Sequence, residues 1–285
     1  MRLLFPSMPF FPREPDPGFT QEIAAAEAAG FDWSLYALEE VRGSTPALVR
    51  CPEGDGPMLH RGWMMGGAAY ARLCDAMRAR GYQPVVDAEG YAEAHYLPLA
   101  IRHLGELSPA TVWNTSEQVE DAWQLYEAFQ GDAILKDWVK SAKHRWREAC
   151  FIPAGTDRAR FGEIFRAFRA ERGKLFERGV VLRRFHRLHT LGTDMRGMPV
   201  HEEYRLFFWK GELLVSTAPP EVHMPSWEAI ARRFASPFLT LDAAREADGG
   251  WVIVESGDGG VSGLPIALPP ETFYAALAFS SRSRP

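Results

Sequence analysis

A chain of 285 residues has room for one large domain or two to three smaller ones around a sizeable core. Its 46% apolar and 24% charged content is that of an ordinary globular protein, and a net charge of −5 argues against a general nucleic-acid binder. The three cysteines, Cys51, Cys74 and Cys150, form no CxxC pair, which argues against structural zinc and for a reducing compartment. No run approaches the ~18 apolar residues of a membrane span, prolines interrupt any signal-peptide core in MRLLFPSMPFFP, and the expected location is the cytoplasm.

RLLF (2–5) predicts a buried first strand, followed by PSMPFFPREPDPG as a Pro-rich loop. Residues 19–29 have helical composition with Gly30 as a stop, and DWSLY (32–36) is a second strand. This β-loop-α-β order is that of a parallel sheet with crossover helices. Residues 39–57 read as an exposed Gly- and Pro-rich excursion, MLHRGWMM (58–65) as a strand, 66–80 as a helix and QPVVD (83–87) as a strand. Residues 1–105 are therefore expected to form a small open α/β domain. Arg61 in MLHRGWMM has two readings: a partly exposed sheet-end arginine, or a cation at the carboxyl edge, where such sheets bind anions.

Residues 116–130 predict a helix with Val119, Trp123 and Tyr126 on its core face. AILK then reads as a strand ending in Lys136, followed by Lys140, Lys143, His144, Arg145 and Arg147. If the segment were helical, Lys136, Lys140 and Lys143 would share a face. Such a run is either a solvated face or a site for a polyanion such as a nucleoside triphosphate. Residues 157–173 predict a helix, GVVLRRFHRL (179–188) a strand with a basic end, TLGTDMRGMP a loop, and 202–218 a hairpin turning at Lys210–Gly211. A short helix is expected over 226–234 and a closing one over 269–278. His186, His189 and His201 are weak evidence for a metal cluster.

FLTLD and WVIVE, joined by ADGG, predict a second hairpin whose strands end in Asp242 and Glu255. Side by side, two such carboxylates suit Mg²⁺, which takes its remaining ligands from water and phosphates; the alternative is a surface hairpin with incidental acids.

The ordered series of a strand ending in Lys136, a basic segment, a helix, the VVLRRF strand, the EYRLFF hairpin and then Asp242 and Glu255 resembles the ATP-grasp fold. It is most similar to an uncharacterised, partly phage-associated subgroup named for an arginine and two lysines. The resemblance covers 106–285, with two subdomains parting near 187, and 1–105 looks like the open α/β domain that precedes such modules. The implied fold class is α/β with α+β character. The resemblance implies ATP and Mg²⁺ as cofactors. Lys136 would touch the ATP phosphates, with Lys140 or Lys143 as a second contact. Arg183, Arg184 and Phe185 would lie on the strand whose backbone reads the adenine edge. Arg205 would face phosphate or acyl-phosphate, Arg61 would be a substrate-side arginine, and Asp242 and Glu255 would hold magnesium. Three features depart from the family pattern: DWVKSAKHRW has no glycine, Arg184 stands where the adenine strand usually has an acid, and Glu255-Ser256-Gly257 lacks the asparagine of an ExN motif, for which Asp258 is the expected substitute.

The implied reaction is ATP-dependent joining of a carboxylate to an amine through an acyl-phosphate, with small-molecule or peptide substrates and no membrane. The alternatives are phosphoryl or nucleotidyl transfer to a protein or RNA acceptor, and a nucleotide-sensing module without turnover.

Overall fold

Apolar residues at the head of the chain build its first sheet. In the computed structural model, which describes residues 1–195, 197–219, 222 and 227–282, the strand Arg2–Met8 is buried through its centre and pairs in parallel with Asp32–Tyr36 and Pro57–His60. Leu48–Val49 and Gln83–Pro84 complete the sheet at its two sides. The helices Thr20–Ala28 and Gly67–Ala79 are the crossovers, and Gly30 and Gly81 follow them at positive φ. The expected Pro-rich loop is instead a hairpin arm, Phe11–Pro15, antiparallel to the first strand. Its prolines cost nothing there, because an edge strand need not donate on its open side. The strand carrying Arg61 is shorter than expected and ends at His60. QPVVD is a strand only over Gln83–Pro84, and Ala88–His95 follows as a helix.

Two compact units divide the chain in an order that sequence does not follow: Met1–His95, Tyr204–Asp242 and Glu255–Pro285 form one, and Tyr96–Glu203 with Ala243–Val254 the other. The expected division at about residue 105 runs along the chain, whereas compactness returns 204–242 and 255–285 to the first unit. In that unit Phe207, Phe238 and Phe273 pack with ring centroids 5.1–6.3 Å apart, in a core shared with Leu3, Leu4 and Leu277. Each such side chain stabilises the fold by roughly 1.5–3 kcal/mol.

A second sheet, in the order Glu212–Ser216, Glu203–Trp209, Phe238–Arg245, Trp251–Asp258, carries the candidate carboxylates. Its first turn is at Lys210–Gly211, where φ values of +50° and +77° are those of a tight hairpin. The last two strands are longer than FLTLD and WVIVE, so Asp242 and Glu255 stand inside strands rather than at their ends. The short helix before them is Glu228–Ala231; Ser226, its expected start, lies outside the described residues.

The second unit has an antiparallel sheet in the order Thr111–Trp113, Val180–Arg184, Ala133–Asp137, Phe151–Ile152. The helix Arg158–Arg172 covers it with Phe161, Ile164, Phe165 and Phe168 buried at helical spacing; Asp157 caps its start by accepting from the Arg160 amide, and Gly173 ends it. Residues expected as a loop between 190 and 199 include a two-stranded ribbon, Thr190–Thr193 with Pro199–His201. No helix among the described residues is long and apolar enough to cross a membrane.

Candidate active site

Three charged residues of the first unit come from adjacent strands. The Gly259 amide donates to Phe238 O at 2.9 Å, and a Cβ on Gly257 would stand 3.2 Å from Thr240 Oγ1. Continued by two residues, this antiparallel register sets Asp242 opposite Glu255, with both side chains on one face. From the neighbouring strand Arg205 reaches Asp242 with a two-pronged contact, Nε to Oδ1 at 2.7 Å and a terminal nitrogen to Oδ2 at 2.6 Å, and donates also to Gly263 O at 3.0 Å. Asp242 is buried and the Arg205 side chain is 29% exposed. The row carries one positive and two negative charges. Two facing carboxylates are a donor set that fits Mg²⁺, which uses one or two such groups and completes its octahedron from water and phosphate. Each Asp242 oxygen keeps a lone pair beyond its bond to Arg205.

Asp258 does not extend that donor set. It is three residues beyond Glu255, and strand alternation sends it to the other face. Its side chain is fully enclosed, Oδ1 accepting from the Gly260 amide at 2.9 Å and Oδ2 meeting no hydrogen-bond partner. Burial, its main cause, raises this carboxyl to about 7, against the lowering effects of the Gly260 amide, Arg61 and the Val261 amide. An enclosed acid on the opposite face does not join Asp242 and Glu255, so the substitution expected for the missing asparagine is corrected here.

Arg61 is likewise not poised for substrate. It is 1% exposed and all three of its nitrogens are engaged: Nε and one terminal nitrogen with Glu22 at 2.7–3.1 Å, the other with Gly259 O and Ser262 O at 2.7 and 2.8 Å. Tyr274 adds its hydroxyl to Glu22 at 2.7 Å. This buried charge is paired and fully bonded, the condition under which burial is tolerated. Glu22 lies 39 residues earlier on a helix whose other buried positions are apolar, so only its place among them marked it out.

In the second unit the basic segment is not the single helix on which a shared lysine face depended. Lys136 is buried on the strand Ala133–Asp137, and the chain then doubles back, so that Ser141 bridges to Lys136. Asp137 holds this turn. Its Oδ1 accepts the amides of Val139 and Lys140 at 2.8 and 2.6 Å, its own amide donates to Lys140 O, and its Oδ2 meets Arg172 at 2.7 Å. Lys143 begins a 3-10 turn on the surface, and Glu171 pairs with His144 and Arg145. An aspartate directly after a predicted strand is a turn signal, which could have marked Asp137 for this role.

Arg183, Arg184 and Phe185 are also more committed than expected. The Arg183 side chain is buried and donates to Ser108 Oγ and Ile253 O, both at 2.7 Å, and to Val254 O. Arg184 caps the helix Val119–Phe129 through Gln130 O at 2.8 Å, with its guanidinium over the Phe129 ring. The Arg184 and Phe185 amides donate to Ala110 O and Asp132 O, so these two donors serve the second unit's own framework. His186 pairs with Glu246 and His189 with Glu202.

Comparison with known proteins bears on the whole. No curated protein matches the chain. Among solved structures it is similar to a RimK domain protein ATP-grasp from Sphaerobacter thermophilus DSM 20745, with 15% identity, a TM-score of 0.61 and 97% of this chain aligned to 98% of that one. It is similar also to D-cycloserine synthetase DcsG, at 15% identity and a TM-score of 0.56 over 98% and 99% of the two chains. A third is macrocyclase MdnC from Microcystis aeruginosa MRC, bound with precursor peptide MdnA, at 11% identity and a TM-score of 0.55 over 99% and 100%. These likenesses establish the fold. Residues 122–277, more than half of the chain, match the family described as ATP-grasp domain, R2K clade family 3, and the chain belongs to that family.

Proposed function

We propose that the protein is an ATP- and Mg²⁺-dependent ligase that joins a carboxylate to an amine through an acyl-phosphate. The observation that carries this reading is the row of Arg205, Asp242 and Glu255 on one sheet face in a chain of ATP-grasp family. A carboxylate is a poor electrophile because its leaving group would be oxide. Its oxygen attacks the γ-phosphorus of ATP, the bond to the β-phosphate oxygen breaks and ADP leaves. The amine then attacks the acyl carbon, phosphate departs with the electron pair of the broken C–O bond, and the amine's extra proton passes to solvent or phosphate. Such chemistry needs positioning and charge neutralisation more than a protein nucleophile.

Asp242 and Glu255 are the residues assigned to hold magnesium, which when bound offsets the charge on the phosphates. Arg205 is assigned to the developing anionic oxygens, leaving Asp242 as the substrate's charge arrives. Lys136 is assigned to the ATP phosphates, with Lys140 or Lys143 beside it. Solved relatives include an ATP-grasp ligase complexed with Mg and ADP, which supports the cofactor pair. The second reading is a nucleotide-sensing module, favoured by the two-pronged hold of Arg205 on Asp242, which half neutralises the metal row.

The nucleotide product decides between these readings. Incubation with ATP, Mg²⁺ and pools of small carboxylates and peptides should release ADP and phosphate, and hydroxylamine should trap an acyl hydroxamate. Release of AMP and pyrophosphate would assign a nucleotidyl transfer instead. Stoichiometric ATP binding without turnover across the pools would assign the sensor.

A further inference from the structure

The carboxyl edge of the parallel sheet in the first unit carries exposed apolar side chains that none of the assignments above involves. Met8 ends the strand Arg2–Met8, Phe10 and Phe11 follow it, and Trp63 and Met64 follow Pro57–His60. Because those strands run parallel, these residues leave the sheet at one edge, where open α/β sheets take ligands. Trp63 is fixed there with 46% of its surface open: its Nε1 donates to Asp16 Oδ2 at 2.8 Å, its ring meets Phe19 edge-on at 5.1 Å, and a Cβ on Gly18 would stand 3.0 Å from it. A large ring already immobilised loses little freedom on binding.

Phe10 points the same way from a different observation. It sits at the hairpin turn with φ +64°, a conformation bulky residues rarely adopt, and its side chain is 90% exposed. Neither backbone nor burial accounts for a phenylalanine at a position that glycine suits better.

We infer that this edge docks an extended peptide segment bearing an apolar side chain and a nearby lysine or arginine. Asp16 joins the hairpin to Trp63, its amide bonded to Pro6 O and its carboxylate to the indole. The run from Phe11 to Asp16 spans about 17 Å of extended chain, the length of about five residues of a bound peptide. Charge selects the occupant. Glu14, Asp16, Glu39 and Glu40 stand on the hairpin and on the segment after Asp32–Tyr36, which carry Arg13 and Arg42 and meet a third cation, Arg72, through Val41 O and Arg42 O. This acidic excess attracts a cationic peptide and repels an anionic lipid surface, and a second copy would set the same acids against each other. The further step, that this peptide supplies the reacting amine or carboxylate, rests on the ligase reading above.

The test is fluorescence anisotropy of a fluorescein-labelled hexapeptide of alternating phenylalanine and lysine, without nucleotide. It should bind, and versions with serine for phenylalanine or glutamate for lysine should bind roughly tenfold more weakly. Phe10→Gly should weaken the first peptide by a similar factor while the protein unfolds at the same or a higher temperature; Trp63→Ala should weaken it too. Equal binding of the three peptides, or unchanged binding to the F10G protein, would overturn the inference. So would a dimer in sedimentation that Phe10→Gly dissolves, or preferential binding to phosphatidylserine vesicles. Because the readout needs no ATP, peptide binding without turnover would sink the ligase and spare the docking surface, and turnover without peptide binding would do the reverse.

Discussion

Replacing Asp258 by asparagine should change the slope of stability against pH, because two buried groups of the first unit titrate in opposing senses. Burial, against three lowering contacts, raises Asp258 from 3.8 to about 7. Burial, helped by Arg61, lowers His60 from 6.5 to about 3. Above the unfolded value of 3.8 and below the folded value of about 7, the folded chain keeps a proton on Asp258 that the unfolded chain releases, so this stabilisation falls as pH rises. Above about 3 and below 6.5, the unfolded chain takes a proton on His60 that the folded chain refuses, so that contribution rises with pH. Each slope is about 1.4 kcal/mol per pH unit, and across their shared window they cancel. Tyr70 and Cys74, which also face Asp258, have their pKa values raised and stay neutral there. The D258N protein keeps only the histidine slope. Relative to the parent it should gain stability steadily from about pH 4 to about pH 7, by roughly 4 kcal/mol in all. Urea unfolding at half-unit pH steps, read on the transition of the first unit, measures the difference. A difference that stays constant over that range would refute the opposing-titration account, whatever its size.

Glu22→Gln should destabilise the first unit by about 3–5 kcal/mol, because it leaves the Arg61 charge buried without its counter-ion, whereas Arg61→Met with Glu22→Leu should cost far less in the same urea experiment. Lys136→Met should weaken ATP binding by calorimetry much more than Lys210→Met, since Lys210 is an exposed residue of a tight turn; equal affinities would remove Lys136 from the phosphate site. The amides of Val139 and Lys140 should exchange slowly without nucleotide, and Asp137→Ala should speed both, because it removes their shared acceptor; fast exchange in the parent would leave the turn to be ordered by ATP.

The β-α-β opening was legible because its apolar runs and glycine stops are local, and so was the hairpin at Lys210–Gly211. Strand lengths were not. Ala243 and Ala244 are buried continuations of the Asp242 strand, yet small residues carry no alternation to read, so the strand seemed to stop at its acid. Prolines hid the arm Phe11–Pro15, since their cost depends on whether a strand lies at an edge, which sequence does not state. That Asp242 and Glu255 face each other was legible because hairpin register is local, whereas the bond from Arg205 to Asp242 crosses 37 residues. What the basic residues touch was not, for it depends on distant partners: Glu22 for Arg61, Ile253 and Ser108 for Arg183, and Arg172 on the turn behind Lys136. An arginine read from its neighbours in sequence looks available for a ligand even where the fold spends it on a carbonyl.

The central claim is that the facing carboxylates of Asp242 and Glu255 hold the magnesium of an ATP-consuming ligation. The most direct measurement is steady-state ADP release against Mg²⁺ concentration for the parent, Asp242→Asn and Glu255→Gln, each checked for an unchanged unfolding transition. Both substitutions keep shape and remove one charge from the donor set. The account predicts that each folded variant loses at least about a hundredfold in turnover or needs far more Mg²⁺. Near-normal turnover and Mg²⁺ dependence in both would contradict it.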